Sequence, residues 1–98
     1  MKSVKVTYTV KASFVAKNKE NIGVFINDLK RMNNNGIRYS IYLGEDGKTF
    51  THLSLYTDEV AQQTFLEMDS FRDFQEQRDA SGLEVEPTIE VLNLVAAY

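Results

Sequence analysis

The chain predicts an α+β fold of the ferredoxin-like type, βαββαβ, with a four-stranded antiparallel sheet and two helices on one face. Three observations carry this. Apolar residues alternate in short runs near both ends and in the middle; two stretches repeat them at helical spacing; and one tight Asp-Gly turn joins the two central runs. Two helices cover only one face of such a sheet, so the other face is expected to find a partner. With 98 residues, 43% hydrophobic and 26% charged, residues 1–98 are expected to form a single globular domain.

Val4, Val6, Tyr8 and Val10 alternate with Lys5, Thr7, Thr9 and Lys11, which gives the first strand one apolar and one polar face. Ile22, Phe25, Ile26, Leu29 and Met32 then recur with the period of a helix. Asn18 is expected to cap its start and Asn35-Gly36 to end it. Gly23, inside this helix, is expected to mark close packing of helix on sheet.

Residues 36–44 and 48–56 form the central hairpin around Asp46-Gly47. A two-residue loop there sets Leu43 opposite Phe50 and Ile41 opposite His52. One face then carries Ile37, Tyr39, Ile41, Leu43, Phe50, His52, Ser54 and Tyr56, while the other carries Arg38, Ser40, Tyr42, Thr49, Thr51, Leu53 and Leu55. The first, more apolar set belongs under the helices.

Asp58-Glu59 opens the second helix with acids at its dipole-positive end. Its period stumbles at Asp69-Ser70, where Ser70-Phe71-Arg72-Asp73 reads as a fresh cap. A break is expected, with Phe71 and Phe74 heading a shorter helix that ends near Gly82. Residues 83–87 read as a linker and 88–98 as the last strand.

Composition excludes several functions. With no cysteine and one histidine, neither a disulfide scaffold nor an ordinary zinc site is available, and no metal or cofactor is expected. A net charge of −3 offers phosphates no basic field, so no nucleic-acid partner is expected. No apolar run approaches the ~20 residues of a membrane span and no signal core opens the chain, so no membrane association and a cytoplasmic location are expected. The uncovered face, with Tyr42, Leu53 and Leu55, together with the apolar 92–98 tail, points to a homodimer through that face.

His52 is the candidate catalytic residue, since an imidazole alone among side chains has an intrinsic pKa suited to carrying protons near neutrality. A strand histidine satisfied by a neighbouring hydroxyl or backbone group is the plainer reading of the same position. Tyr39, Ser54 and Tyr56 share its face, and Phe71 and Phe74 lie on the broken helix; together they are expected to line an apolar, substrate-binding pocket with few polar groups.

The order of elements, the Tyr-Thr-Asp-Glu-Val-Ala junction (56–61) and the kinked 68–74 segment resemble the antibiotic-biosynthesis-monooxygenase-like group of dimeric α+β barrel proteins; stress-responsive α/β barrel proteins share that architecture. The resemblance implies a homodimer whose two sheets face each other as a barrel, with a pocket between sheet and helices. It implies oxidation of small aromatic compounds by O2 without metal or flavin, or else a non-catalytic dimeric small-ligand-binding or stress-responsive protein. Haem-degrading relatives carry a tryptophan where this chain has Tyr56 and a helical histidine near Gln75, and this chain has neither.

Overall fold

The first strand, β1 (Lys2–Thr9), leads through a 3₁₀ turn at Ala12–Phe14 into helix α1 (Val15–Met32) in a computed structural model covering residues 1–98. Strands β2 (Ile37–Leu43) and β3 (Thr49–Tyr56) follow, then helices α2 (Glu59–Leu66) and α3 (Asp69–Ala80) and strand β4 (Val85–Leu92). The sheet is antiparallel with order β2-β3-β1-β4, so β1 and β3 are central and the two halves interlock. All helices lie on one side, the handedness that crossover connections favour.

The alternation of β3 decides which side. Phe50, His52, Ser54 and Tyr56 are buried beneath the helices, whereas Leu53 on the opposite face is exposed. Leu43 pairs with Phe50 and Ile41 with His52, the predicted register. The turn that sets it is longer than expected. Gly47 donates to the Gly44 carbonyl (3.0 Å) with φ of 73°, and Asp46 Oδ1 accepts from the backbone N–H groups of Lys48 and Thr49 (2.9 Å each). The aspartate's acceptor capacity stabilises a four-residue connection in place of the two-residue loop.

Helix α1 departs from the sequence reading at both ends. Asn18 does not cap it: the helix begins earlier, and Asn18 sits in its second turn, fully buried. Asn33, at φ 50°, ends it rather than Asn35-Gly36, its N–H donating to the Leu29 carbonyl. Gly23 does not mark close packing, because a methyl group there meets nothing within 4 Å. It leaves the helix with the backbone-entropy cost of glycine, about 1 kcal/mol relative to alanine, and no packing return.

The second helical stretch breaks as predicted, but at Glu67–Met68, just before the expected Asp69-Ser70. Asp58 caps α2 by accepting from the Ala61 N–H (2.8 Å), while Ser70, the expected cap of α3, lies inside that helix with its buried Oγ unpartnered. Strand β4 begins at Val85 rather than 88 and stops at Leu92, so residues 93–98 are not strand. Pro87 lies where the β1–β4 register shifts between Thr7 and Thr9, the bulge position that tolerates a missing N–H.

The core is aromatic. Tyr8, Phe25, Phe50, Tyr56, Phe65, Phe71 and Phe74 are buried with Val10, Ile22 and Ala61. The helical layer stops short of β4: Ile89 and Val91 pair with Val6 and Val4 and so share the helix side, yet both stay exposed.

Candidate functional site

Sheet register brings two tyrosines to His52. On β3, His52 pairs with Val6 of β1 and Ile41 of β2, and Tyr8 and Tyr39 lie one same-face position away on either side. Tyr8 Oη stands 2.8 Å from His52 Nε2 and Tyr39 Oη 2.8 Å from Nδ1, so both ring nitrogens are engaged. From the helix layer above, Asn18 Nδ2 donates to Tyr8 Oη (2.9 Å). The result is a continuous chain, Asn18–Tyr8–His52–Tyr39, crossing three strands and a helix.

Rings wall this chain in. Phe25 stacks beside the imidazole at 6.3 Å between centroids, and Phe74 stands 5.5 Å away on α3. Phe71 and Phe65 approach each other to 4.2 Å behind them. Arg78, one turn beyond Phe74, is itself buried, with its guanidinium 5.0 Å from the Tyr8 ring centroid and 5.4 Å from that of Phe74. Its Nε donates to the exposed Asp79 (3.1 Å), so the charge is held largely by aromatic faces.

Electrostatics follow from this enclosure. Burial, reinforced by the Arg78 charge, lowers the His52 pKa to about 3, so the imidazole is neutral at physiological pH. Burial pushes Tyr8 up to about 12, against the pull of the Asn18 hydrogen bond and of Arg78. Tyr39 is raised still further, again chiefly by burial, and Tyr56 is raised by the same cause. Every member of the chain is therefore uncharged near neutrality.

Of the residues singled out in the sequence, the structure gathers His52, Tyr39 and Phe74 in direct ring contact, with Phe71 stacked behind Phe74 at 5.8 Å. Tyr56 stands one ring further off, against Phe65 at 6.1 Å. Ser54 turns to β1 and donates to the Val4 carbonyl (3.3 Å). Of the six hollows that indent the surface, three are sizeable. One of about 400 Å³, between the end of α1 and the start of β2, is lined by Ile26, Leu29, Ile37 and Tyr39 beside Lys30 and Arg38. A second, about 410 Å³, lies on the open sheet face under the 92–97 tail and includes Ser54. A third, about 200 Å³, is bounded by Ile22, Ile41 and Phe50. His52, Tyr56, Phe71 and Phe74 line none of these. No group of three or more His, Cys, Asp or Glu side chains is arranged to hold a metal, and no helix is long and apolar enough to cross a membrane.

Three members of the site escape a reading by motif: Tyr8, Asn18 and Arg78. Their signal is a polar group at an apolar position. Asn18 continues the Ile22, Phe25, Leu29 stripe, Arg78 extends that of Phe71 and Phe74, and Tyr8 replaces an aliphatic residue among valines.

The depressed pKa of His52 predicts a pH dependence of stability. The unfolded imidazole binds a proton below about 6.5, the folded one only below about 3. Between those values the unfolded state holds more protons, so stability is fully present above about 6.5 and falls as the pH drops. Urea unfolding at pH 7 and pH 5 should differ by about 2 kcal/mol from this residue alone, the limiting slope being about 1.4 kcal/mol per pH unit. A His52→Phe variant should lose that part of the difference; an unchanged pH dependence would place the imidazole in solvent.

Comparison with solved structures agrees with this architecture. The chain superposes on an antibiotic biosynthesis monooxygenase with a TM-score of 0.83 at 11% identity, covering 98% of this chain and 100% of that one. A candidate antibiotic biosynthesis monooxygenase from Nitrosomonas europaea gives 0.83 at 14% identity, covering 98% and 100%. Another from Caulobacter crescentus CB15 gives 0.82 at 20%, covering 97% and 90%. No family sequence model and no curated protein sequence matches the chain. At these identities the likeness is one of fold, and the chain has the ferredoxin-like α+β fold of the antibiotic-biosynthesis-monooxygenase-like proteins.

Proposed function

We propose that this chain is a cytoplasmic, homodimeric, monooxygenase-like protein that oxidises a small aromatic or otherwise apolar molecule with O2 and no cofactor. The observation that carries the reading is a neutral imidazole hydrogen-bonded on both nitrogens to phenols, inside a shell of rings with a buried guanidinium beside it. Oxidation without a cofactor needs a base to make the substrate electron-rich and surroundings dry enough to protect the anion. Tyr39 and Tyr56 orient the substrate, Phe71 and Phe74 exclude water, and His52 takes the proton. The resulting phenolate gives an electron to O2. The radical pair combines to a ring peroxide anion, which takes the proton back from the His52 imidazolium and then loses water to leave a quinone, with one oxygen atom in the product and one in water.

Magnitudes restrict how this works. Moving a proton from a phenol of pKa about 10 to an imidazole of about 3 is uphill by roughly 9–10 kcal/mol. One opposite charge at about 4 Å returns only about 4 kcal/mol at an effective dielectric of ~20. The phenolate must therefore sit close to both the imidazolium and the Arg78 guanidinium. The fold likeness to monooxygenase-like proteins supports this reading. A non-catalytic small-ligand-binding role is favoured by a different observation: His52 is 2% exposed and lines none of the three hollows, so a ligand held beside Tyr39 need not touch it.

Oxygen uptake over a library of phenols and naphthols separates these readings. Catalysis predicts uptake with at least one compound and a loss of about 100-fold or more in His52→Gln, the usual contribution of a general base. Uptake that survives the substitution would remove His52 from the chemistry. Saturable binding without any uptake would favour the ligand-binding role.

The homodimer is supported by the face the helices leave bare. Tyr42 and Leu53 are 57% and 38% exposed there, and the tail adds Leu94 and Val95 at 51% and 97%. Covering each such side chain contributes about 1.5–3 kcal/mol, and two-fold symmetry doubles every contact. Light scattering at micromolar concentration should give twice the chain mass, and Leu53→Glu should reduce it to one. Single chains in the unaltered protein would contradict the dimer.

A further inference from the structure

The direction of the hydrogen bonds along the buried chain is decided at its inner end. A neutral imidazole carries one hydrogen, and the partners of its two nitrogens determine which nitrogen holds it. Asn18 Nδ2 donates to Tyr8 Oη (2.9 Å), so the Tyr8 hydroxyl hydrogen is free for His52 Nε2 (2.8 Å). Nε2 is then the acceptor, Nδ1 carries the hydrogen, and Nδ1–H donates to Tyr39 Oη (2.8 Å).

The opposite direction is also geometrically complete. Tyr39 would donate to Nδ1, Nε2–H to Tyr8, and Tyr8 to Asn18 Oδ1, provided the carboxamide turned over. The two arrangements differ in what they strand within the core. Asn18 is 0% exposed. As it stands, its Oδ1 has no partner; turned over, the amide group with its two N–H donors would lose the one acceptor it has. Buried N–H groups without acceptors are rarer in proteins than under-satisfied carbonyls, which favours the orientation observed.

We infer that Asn18 is a positioning residue that fixes the tautomer of His52 through Tyr8, making Nε2 the basic nitrogen and Nδ1 the one that carries the hydrogen. Uptake of a proton at Nε2 turns that bond round, so that Nε2–H donates to Tyr8 Oη while Nδ1–H stays on Tyr39. Tyr39 is left as the member whose own hydroxyl hydrogen the chain does not use. It also lines the hollow of about 400 Å³, so it is the member placed to offer a donor to a ligand oxygen. The inference rests on the proton-handling reading above, but its test needs neither substrate nor oxygen, so failure of the oxidation assay leaves the test unaffected.

One histidine in the chain makes the test direct. The full-length protein labelled with ¹⁵N-histidine is recorded by long-range ¹H–¹⁵N correlation, unaltered and as Asn18→Leu. In the unaltered protein the Nδ1–H form should exceed the Nε2–H form by roughly tenfold, the equivalent of about 1.4 kcal/mol and within the range of one buried hydrogen bond. In N18L, where Tyr8 no longer receives a hydrogen from the helix, the two forms should approach equality. A predominantly Nε2–H form in the unaltered protein overturns the inference, as does a ratio unmoved by the substitution. Should N18L fail to fold, the unaltered spectrum alone still decides between the two tautomers.

Discussion

The placement of the imidazole of His52 between two phenol oxygens is the constraint on which the rest of this structure depends. Each bond is 2.8 Å long, and each requires its own strand pairing to hold register. A slip of one residue in either pair would turn a tyrosine to the other face and leave a ring nitrogen buried without a partner, at about 1–3 kcal/mol. The polar chain thus reports on sheet register in a way that an all-apolar core would not. Leucine and phenylalanine tolerate small shifts, whereas three linked hydrogen bonds have few alternative geometries.

This constraint also explains why the helical layer is built as it is. Asn18 must reach down from α1 and Arg78 from α3, and Asn21 donates to Gln77 (3.0 Å) to tie these two helices together. A single straight helix after β3 would not pack both Phe65 and Phe74 against Phe25, which contacts them at 6.0 Å and 5.1 Å. The break at Met68 redirects the chain so that it does. The cost appears at the margins. With the helices drawn over β1, β2 and β3, the helix side of β4 is left with Ile89 and Val91 in solvent, and the opposite face of the sheet has no cover beyond the 92–97 tail.

Much of this was legible in the sequence. The sequence of elements along the chain followed from alternation and helical period, and the pairing of Ile41 with His52 followed from Asp46-Gly47 even though the turn is longer than the dipeptide suggests. The break in the second helix showed as a lost period. What stayed hidden was tertiary. Asn18 looks like a cap because asparagine is usually one, and only the position of Tyr8 beneath the helix makes it a core donor. Arg78 looks like surface charge until the faces of Tyr8 and Phe74 are placed under it. Gly23 suggested crowding, yet the space beside it is open. The early end of β4 and the bulge at Pro87 reflect pairing with β1, which local pattern does not encode. His52, Tyr39, Phe71 and Phe74 could be grouped from strand faces and helix period; their mutual order, and the absence of the imidazole from every hollow described, could not.

The central claim is that His52 is sealed and neutral, held by its two tyrosines rather than by water. Following its ring protons by NMR from pH 8 down to the acid limit of the fold measures this directly, with no ambiguity of assignment in a chain that has one histidine. The account predicts constant chemical shifts down to at least pH 4.5, consistent with a pKa of about 3. A titration midpoint between 6 and 7, the range of an ordinary imidazole, would contradict it.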